Sequence, residues 1–347
     1  MSIPEHMRAA LLTAHGGPET LVVTDAAPVP VPGPGDVLIK VAAAGVNNTD
    51  INTRIGWYSK GDNDSADAGW TGEALRLPRI QGADVAGKIV AVGPDVPKDR
   101  IGDRVIVEGS LTHANGVKLK TPWYLGSECD GGFADYLRVN TRHAHRIESP
   151  LTDVELASFP CSYSTAENML TRAGVTVSDR VLVTGASGGV GSATVQLARA
   201  RGANVVAVTS PSKSAALLEL GANETLGRDA DLVAALGANN VDVVVDLVAG
   251  PSWPSLLDVL RPGGRYAVAG AIGGPMVTLD VRTLYLKDLS LFGCTVLGDG
   301  VFAALVQRIE AGEVRPLVAE TFRLEDIHAA QEFFIEKSHV GKIVLTL

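Results

Sequence analysis

Residues 181–191, with the sequence VLVTGASGGVG, constrain the fold more than any other segment of the chain. The apolar run 181–184 predicts a buried strand, and Ala186, Gly188 and Gly191 then occupy the three small-residue positions of the G-x-G-x-x-G pattern. In that pattern backbone N–H groups approach a pyrophosphate, and the N-terminus of the following helix faces it with a partial positive charge. The segment therefore predicts a dinucleotide-binding unit. The alternative is a glycine turn that only packs a helix against a sheet.

The pattern around this segment alternates between strands and helices. Strands are predicted at 180–184, 204–209, 241–248, 264–271 and 290–296, with helices at 191–201 and 212–220. Such alternation is typical of a parallel sheet covered by helices on both faces. The N-terminal half instead shows short strands broken by proline and glycine, which predicts a β-rich, barrel-like unit. Two stretches, 59–78 and 108–130, have little strand signal and are predicted to be loops, either functional lids or surface decoration.

The end of the second predicted strand bears on which dinucleotide is bound. A site for NADH favours an acidic residue there, about 20 residues beyond the glycines, to bind the ribose 2′-hydroxyl. This chain has no acid in residues 209–213 and instead offers Thr209, Ser210 and Lys213. Hydroxyls and an ammonium group suit a 2′-phosphate, and Arg228 is predicted to close over the same phosphate. The segment thus predicts NADPH, unless Lys213 and Arg228 are ordinary solvated side chains.

Charge and cysteine content exclude other classes of protein. The formal net charge of −9 argues against a nucleic-acid partner bound through a broad basic face. Only three cysteines are present, Cys129, Cys161 and Cys294, which form no disulfide framework and suit a reducing compartment. No apolar run reaches ~18 residues, the length needed for a membrane span. We therefore expect a cytoplasmic protein that acts on a small molecule.

Several further segments resemble one superfamily along nearly the whole chain. They are MRAALLTAHGGPETL (7–21), GDVLIKVAAAGVNNTD (35–50), GADVAGKIVAVG (82–93), GDRV (102–105), GGFADY (131–136) and GKIVL (341–345). Together with the glycine-rich turn they resemble the medium-chain dehydrogenase/reductase superfamily. The most similar subgroup is the zinc-independent quinone oxidoreductases related to zeta-crystallin.

This resemblance implies an α/β fold with two domains. A discontinuous GroES-like catalytic domain is expected at 1–147 and 297–347, and a Rossmann domain with a doubly wound parallel sheet is expected at 148–296. It also implies a homodimer or homotetramer. The residues predicted to bind the cofactor are Ala186, Ser187, Gly188, Gly189, Val190, Gly191, Thr209, Ser210, Lys213, Arg228, Gly270 and Lys342.

The zinc-dependent relatives provide a contrast. They hold catalytic zinc with a Cys, a His-Glu pair and a further Cys, at positions that correspond here to Asn47, Ala83-Asp84 and Cys161. An amide, a methyl group, one carboxylate and one thiol are a poor donor set, because zinc prefers nitrogen and sulfur ligands in a tetrahedron. We therefore predict no metal, and expect Cys161 to be a small apolar residue.

The resemblance also implies that residues 47–58 line the nicotinamide cleft. Asn47 is a candidate to donate its amide N–H to a carbonyl oxygen, and Tyr58 to donate a hydrogen bond or a proton to the developing oxyanion. Thr49 occupies the position of a proton-relay hydroxyl in zinc-dependent relatives, and Asp50 completes the candidate set.

Each of these residues also has a simpler interpretation. Asp50 is a candidate cap for a helix that begins at Ile51. Asn47 is a candidate to satisfy backbone groups in a turn. Tyr58 is a candidate wall residue of the pocket with no role in proton transfer. Asn52 stands where several relatives have tyrosine, so the pattern departs from the family there. Trp57 and Trp70 are either an aromatic wall for a flat substrate or loop packing.

The predicted reaction is hydride transfer from NADPH to a quinone or an α,β-unsaturated carbonyl compound, without a metal. One alternative is an alcohol dehydrogenase of the same superfamily, with or without zinc bound in a non-standard way through Asp84 and Cys161. The second alternative is a non-catalytic NADPH-binding sensor or an RNA-binding protein, against which the acidic net charge argues. The physiological substrate is set by pocket shape and does not follow from the sequence.

Overall fold

The structure is a computed structural model that describes residues 3–60 and 68–347, and these form two compact units. Unit 1 comprises Met1–Cys161 and Pro316–Leu347, and unit 2 comprises Ser162–Arg315. Both boundaries lie later along the chain than the predicted ones at 147/148 and 296/297. The first boundary lies later because a short helix near residue 155 packs on strands of unit 1. The periodicity of the sequence does not indicate this packing.

The described residues contain eighteen strands. They are β1 His6–Leu12, β2 Leu21–Pro28, β3 Asp36–Val46, β4 Arg79–Ile80, β5 Ala86–Val92, β6 Arg104–Val107, β7 Ser110–Ala114, β8 Val117–Tyr124, β9 Tyr136–Asn140, β10 Ala144–Arg146, β11 Arg180–Val183, β12 Asn204–Thr209, β13 Glu224–Gly227, β14 Val241–Asp246, β15 Leu260–Val268, β16 Ser290–Gly293, β17 Val318–Arg323 and β18 Lys342–Thr346.

The same residues contain ten α-helices. They are α1 Asn48–Arg54, α2 Asp153–Leu156, α3 Pro160–Arg172, α4 Gly189–Ala200, α5 Ser214–Leu220, α6 Leu232–Leu236, α7 Trp253–Val259, α8 Val281–Leu286, α9 Val301–Glu310 and α10 Ile327–Glu336. None of these helices is long and apolar enough to cross a bilayer.

Unit 1 is rich in β-strands, as the N-terminal pattern predicts, and its strand pairs are antiparallel except for β17 and β18, which pair in parallel. Its largest sheet has the order β10-β6-β5-β3-β18-β17, with β9 also paired to β3, and a smaller sheet has the order β2-β1-β4. The final strand β18 runs antiparallel to β3, with Ile343 opposite Val46. This register brings Lys342, the first residue of β18, to Asn47, the residue that follows β3. Helix α2 contacts β3, β5 and β18.

The stretch 108–130 differs from its predicted loop character. It contains the hairpin β7–β8, whose turn residues Asn115 and Gly116 both have positive φ, 52° and 75°. An Asn-Gly pair is the preferred sequence of a two-residue hairpin turn, so the signal was present in the sequence. Of the other predicted loop, 59–78, residues 61–67 lie outside the described part of the chain. Its remaining residues form no helix or strand.

Unit 2 contains a six-stranded parallel sheet with the order β13-β12-β11-β14-β15-β16. This confirms the predicted Rossmann arrangement, in which the strand order reverses between the first and the fourth strand of the unit, here β11 and β14. These strands are apolar on both faces, as expected of a sheet covered by helices on both sides: Val181, Leu182, Val243 and Val244 are all fully buried. In such sheets ligands bind outside the carboxyl ends of the strands, at the reversal.

Candidate active site

The glycine-rich turn of unit 2 lies where the fold directs a ligand. Strand β11 ends at Val183, the chain turns through Gly185 with φ +58°, and α4 begins at Gly189 with Gly188 as its N-cap. The first N–H groups of any α-helix have no acceptor within the helix, and they carry the positive end of its dipole. Gly189, Val190 and Gly191 therefore present N–H groups suited to phosphate oxygens.

Two glycines of this turn serve different physical purposes. A Cβ atom on Gly191 would lie 2.3 Å from the carbonyl oxygen of Gly185 and 2.6 Å from the Cα of Ala186, so this position admits glycine alone. A Cβ atom on Gly188 would meet only the Gly185 oxygen, at an ordinary 3.5 Å. Gly191 is thus required by the packing of α4 on the turn, while the space beside Gly188 is compatible with a closely approaching pyrophosphate.

Asp246 forms hydrogen bonds at the point where the strand order reverses, beside this turn. It was not among the residues predicted from the sequence. The carboxylate is fully buried at the end of β14 and accepts hydrogen bonds from the Thr184 hydroxyl at 2.5 Å and from the backbone N–H of Val248 at 2.9 Å. The Tyr266 hydroxyl donates to its other oxygen at 2.5 Å. These bonds link the carboxyl ends of β11, β14 and β15 and hold this edge of the sheet rigid.

The residues predicted to bind the 2′-phosphate meet at the same edge. Thr209 ends β12, and its buried hydroxyl has no hydrogen-bond partner among the described residues. Lys213 is only 8% exposed, so it is not the ordinary solvated side chain of the alternative interpretation. Burial, together with the nearby Arg228 guanidinium, lowers the pKa of Lys213. Two cations brought this close repel each other, and an anion bound beside them would relieve the repulsion.

Two other predicted cofactor residues occupy different places. Gly270 follows β15, and a Cβ atom there would lie 2.7 Å from the carbonyl oxygen of Leu247, so glycine permits a close approach of two chain segments. Lys342 belongs to unit 1, where its ammonium group lies 2.7 Å from Asp84 Oδ2 and donates to Asn47 Oδ1. The charge of Lys342 is therefore directed towards Asp84 in this structure.

Asp84 organises a buried polar cluster in unit 1. It is fully buried, and besides Lys342 it accepts hydrogen bonds from Asn47 Nδ2 at 2.9 Å and from the Cys161 backbone N–H at 2.5 Å. The close approach depends on Gly45, where a Cβ atom would lie 2.5 Å from Asp84 Oδ2. One cation and two neutral donors compensate the carboxylate, as a charge removed from water requires.

The Asn47 side chain is fully engaged within this cluster. Its Oδ1 accepts from Lys342, and its Nδ2 donates to Asp84 and, at 3.3 Å, to the carbonyl oxygen of Gly45. Since an amide has two N–H groups, the expected donation from Asn47 to a substrate oxygen requires one of these bonds to break. We regard Asn47 as a residue that positions the start of α1.

Asp50 joins the cluster through a capping interaction. The helix begins at Asn48 rather than at Ile51, with Asn47 as its N-cap, and Asp50 Oδ2 accepts from the Asn47 backbone N–H at 2.8 Å. Asp50 is thus the third helical residue of a capping box rather than the N-cap itself. Burial raises the pKa of Asp50 to about 7, an effect that the nearby Asp84 reinforces.

We expect the substitution Asp50→Asn to change how stability depends on pH. A carboxyl whose pKa is raised on folding stabilises the protein fully below its unfolded value, about 4, and this contribution is lost as the pH rises through about 7. Each tenfold change in proton affinity is worth about 1.4 kcal/mol. The variant should therefore gain roughly 2–4 kcal/mol relative to the wild type between pH 4.5 and 8, measured by urea denaturation.

The exposed Asp25, replaced in the same way, is the control for this experiment. Its carboxylate stays in water, so Asp25→Asn should follow the wild-type curve. If Asp50→Asn followed that curve too, the carboxyl would not hold its proton in the folded state.

Two hydrogen-bonded hydroxyls and four aromatic rings form a group next to the buried cluster. The Tyr58 hydroxyl and the Trp70 indole Nε1 both donate to Thr49 Oγ1, each at 3.3 Å. The Trp70 ring stacks on Tyr124 with centroids 4.2 Å apart and planes at 5°, and Trp57 meets Tyr58 edge-on at 5.4 Å. Burial raises the pKa of Tyr58, so the phenol keeps its proton at neutral pH.

Cys161 adjoins this group but does not have the character of a zinc ligand. Its sulfur lies 3.0 Å from the Tyr124 hydroxyl, and desolvation together with the nearby Asp84 raises the pKa of the thiol to about 12. Both oxygens of Asp84 are already bonded within the chain. Across residues 3–60 and 68–347, no three His, Cys, Asp or Glu side chains are placed to hold a metal ion. An amide, a methyl group, a fully bonded carboxylate and a protonated thiol do not fit zinc.

Tyr124 is the functional candidate that the sequence analysis missed. It ends β8, inside the stretch that was predicted to be a loop, and it contacts both Trp70 and Cys161. Identifying the Asn-Gly turn would have predicted the hairpin, but not which face of it carries Tyr124. The two tryptophans predicted as a possible aromatic wall both contact Tyr58, with ring centroids 5.4 and 5.5 Å from that of Tyr58.

Comparison with known proteins agrees with this architecture. The family model for the alcohol dehydrogenase GroES-like domain matches residues 33–149, and the model described as zinc-binding dehydrogenase matches residues 189–311. The quinone oxidoreductase of Lama guanicoe is 31% identical, with 98% of each chain covered. The acryloyl-coenzyme A reductase of Metallosphaera sedula is 30% identical, and the alignment covers 98% of this chain and 100% of the reductase.

A solved structure shows the same fold along nearly the whole chain. The crystal structure of a putative alcohol dehydrogenase from Sinorhizobium meliloti superimposes with a TM-score of 0.92 at 48% identity, covering 99% of this chain and 97% of the other. These relatives are oxidoreductases by name, and their similarity extends over both units. The chain therefore belongs to the medium-chain dehydrogenase/reductase superfamily, a group of nicotinamide-dependent oxidoreductases, and resembles its quinone oxidoreductase-like members.

Proposed function

We propose that the protein transfers hydride from NADPH to a quinone or to an α,β-unsaturated carbonyl compound, without a metal. The observation that carries this proposal is the hydrogen-bonded hydroxyl pair Tyr58–Thr49 beside the stacked rings of Trp70 and Tyr124. The residues at the positions of the zinc ligands do not fit zinc. Two uncharged hydroxyls can stabilise a developing oxyanion by hydrogen bonding, the role that a metal ion has in zinc-dependent dehydrogenases.

The chain's own residues would act on the substrate oxygen. When bound, NADPH would supply a hydride for the β-carbon of an enone, and the displaced π electrons would collect on the carbonyl oxygen. Thr49 donates a hydrogen bond to that oxygen as its negative charge develops, and Tyr58 donates to Thr49. A proton from solvent, or one relayed from Tyr58 through Thr49 and then replaced on Tyr58 from solvent, would complete the reduction. The planar rings of Trp70 and Tyr124 suit a flat conjugated substrate.

The test is NADPH oxidation measured against a panel of quinones, enones and aldehydes, with and without a chelator. We expect turnover of quinones or enones that the chelator leaves unchanged. Thr49→Val should lower kcat by about a hundredfold, because it removes a donor to the oxyanion. Tyr58→Phe should lower kcat at saturating substrate, and an unchanged rate would leave Tyr58 as a wall residue.

The second candidate is an alcohol dehydrogenase, which the similarity to the Sinorhizobium meliloti structure favours. The same panel separates the two functions, because an alcohol dehydrogenase would oxidise simple alcohols with NADP⁺ and would leave enones untouched. Such a result, or loss of activity with chelator, would overturn the proposed metal-free reaction.

We also propose that NADPH is preferred over NADH, through Thr209, Ser210, Lys213 and Arg228. The support is the burial of Lys213 and its closeness to the Arg228 guanidinium at the carboxyl edge of the sheet. A hydrogen bond to a charged group contributes about 1.5–3 kcal/mol, so each cation is worth roughly 10- to 100-fold in affinity for the 2′-phosphate.

Replacing both cations, in Lys213→Ala/Arg228→Ala, should raise the KM for NADPH by at least about 100-fold and leave the KM for NADH nearly unchanged. Arg282→Ala is the control, because that side chain is exposed and forms an ion pair with its neighbour Asp280. A wild-type enzyme that preferred NADH, or a double variant that lost both cofactors equally, would contradict the assignment.

We propose further that two copies associate through strand β16. This strand forms the edge of the parallel sheet, and the surrounding segment exposes several large apolar side chains: Val281, Tyr285, Leu286 and Leu291. An edge strand presents N–H and C=O groups without partners, and a second copy related by a two-fold axis satisfies both sets at once.

Light scattering during gel filtration should therefore give the mass of a dimer for the wild type. Leu291→Lys should give a monomer, because it places a charge on the self-paired edge. Val177→Lys, a change at another exposed apolar position of unit 2, should leave the mass unaltered. A monomeric wild type would overturn the proposal.

A further inference from the structure

Thr49 Oγ1 is the meeting point of two hydrogen-bond donors. A hydroxyl oxygen has two lone pairs and one proton. The indole Nε1 of Trp70 can only donate, and the Tyr58 hydroxyl donates to the same oxygen, so both lone pairs of Thr49 are engaged. With its acceptor capacity used, Thr49 can enter a further hydrogen bond only as a donor. A substrate carbonyl or quinone oxygen, which is an acceptor, is the matching partner.

The position of Trp70 is supported on two sides. Its ring lies flat against Tyr124, and the turn that carries it is bound to the same strand by Glu128. One carboxylate oxygen of Glu128 accepts from the Thr71 backbone N–H at 3.1 Å, and the other accepts from the Tyr124 backbone N–H at 2.9 Å. A single carboxylate thus joins the turn of Trp70 to the end of β8.

We propose that Trp70 is a positioning residue for the reaction: its indole N–H occupies Thr49 Oγ1 and thereby makes the Thr49 hydroxyl a committed donor to the substrate oxygen. This inference rests on the proposed function in that Thr49 contacts the oxygen that is reduced. In this role the indole N–H of Trp70 orients the Thr49 hydroxyl, and this is separate from any contact that the flat face of the ring makes with substrate.

The role of the N–H group can be separated from that of the ring by Trp70→Phe. Phenylalanine retains an aromatic face for Tyr124 but cannot donate, so the Thr49 hydroxyl regains a lone pair and the freedom to rotate. We expect kcat to fall roughly three- to tenfold, the effect of one neutral hydrogen bond, with the dissociation constant for NADPH unchanged. Trp123→Phe is the control. Trp123 precedes Tyr124 on β8, and its side chain packs against the hydrophobic core of unit 1.

A double-mutant cycle decides whether Trp70 acts through Thr49. If it does, adding Trp70→Phe to Thr49→Val should cause no further loss of kcat, because the oxygen that the indole orients is already gone. An equal loss in both backgrounds, or a Trp70→Phe enzyme as active as Trp123→Phe, would overturn the inference. The cycle is run on whichever quinone, enone, aldehyde or alcohol the wild type turns over, so it remains valid if the proposed substrate class fails.

A spectroscopic measurement tests the hydrogen bond without turnover. In ¹⁵N-labelled protein the indole N–H of Trp70 should exchange slowly with solvent, and Thr49→Val should speed this exchange and shift the resonance. The indole signal of Trp123 should not change. Rapid exchange of the Trp70 N–H in the wild type, or no response to Thr49→Val, would refute the inference whatever reaction the enzyme catalyses.

Discussion

Replacing Lys342 with methionine will lower the free energy of unfolding of unit 1 by about 3–5 kcal/mol. The ammonium group is 2% exposed and lies 2.7 Å from Asp84, which is fully buried. Methionine fills most of the same space but carries no charge, so the Asp84 carboxylate would remain in the core with only the neutral donors Asn47 and Cys161. The loss comes from an uncompensated buried charge rather than from a cavity.

Two comparisons isolate the electrostatic part of this effect. Arg146→Met breaks an exposed ion pair with Glu148 and should cost less than about 1 kcal/mol. The double variant Asp84→Asn/Lys342→Met should recover at least half of the loss, because no buried charge is left without a partner. Urea denaturation is followed by tryptophan fluorescence, which reports mainly on unit 1 because Trp57, Trp70 and Trp123 all belong to it. A Lys342→Met protein as stable as Arg146→Met would contradict the prediction.

The substitution Gly191→Ala will both destabilise unit 2, by roughly 2–3 kcal/mol, and abolish measurable NADPH binding. The added methyl would lie 2.3 Å from the Gly185 carbonyl oxygen, far inside van der Waals contact. Neither partner can yield easily, because Gly185 is held at φ +58° and α4 packs against the turn. Helix α4 must move outwards, which would displace the N–H groups that we expect to bind the phosphates.

Gly188→Ala is the matched variant, three residues earlier in the same turn. Its methyl would meet only an ordinary 3.5 Å contact, so the free energy of unfolding should change by less than about 0.5 kcal/mol. NADPH affinity, measured by calorimetry, should nevertheless fall at least about tenfold, because the methyl occupies the space into which the pyrophosphate approaches. If both variants lost stability equally, or if Gly188→Ala bound NADPH normally, the division of roles between the two glycines would be wrong.

Local signals were sufficient to predict the fold of unit 2. The periodicity of the strands, the positions of the glycines and the stop at Gly221, where φ is +112°, each depend on residues close together in the chain. The hairpin β7–β8 was missed although Asn115-Gly116 is a local signal, because the burial of β8 does not follow a simple alternation. The first segment of unit 1 extends to Cys161, and α2 within it contacts β3, β5 and β18, strands that are distant along the chain.

The sequence by itself predicted the strand, glycine-rich turn and helix at residues 181–191, because that pattern depends on residue types at fixed spacing. Only the tertiary structure decided which contacts the residues between Asn47 and Tyr58 make. Asn47 and Lys342 are 295 residues apart along the chain and meet through the register of β3 and β18, which no local pattern encodes. That contact commits the Asn47 amide to Lys342 and Asp84, and it leaves the Thr49 hydroxyl as the donor that we assign to the substrate oxygen.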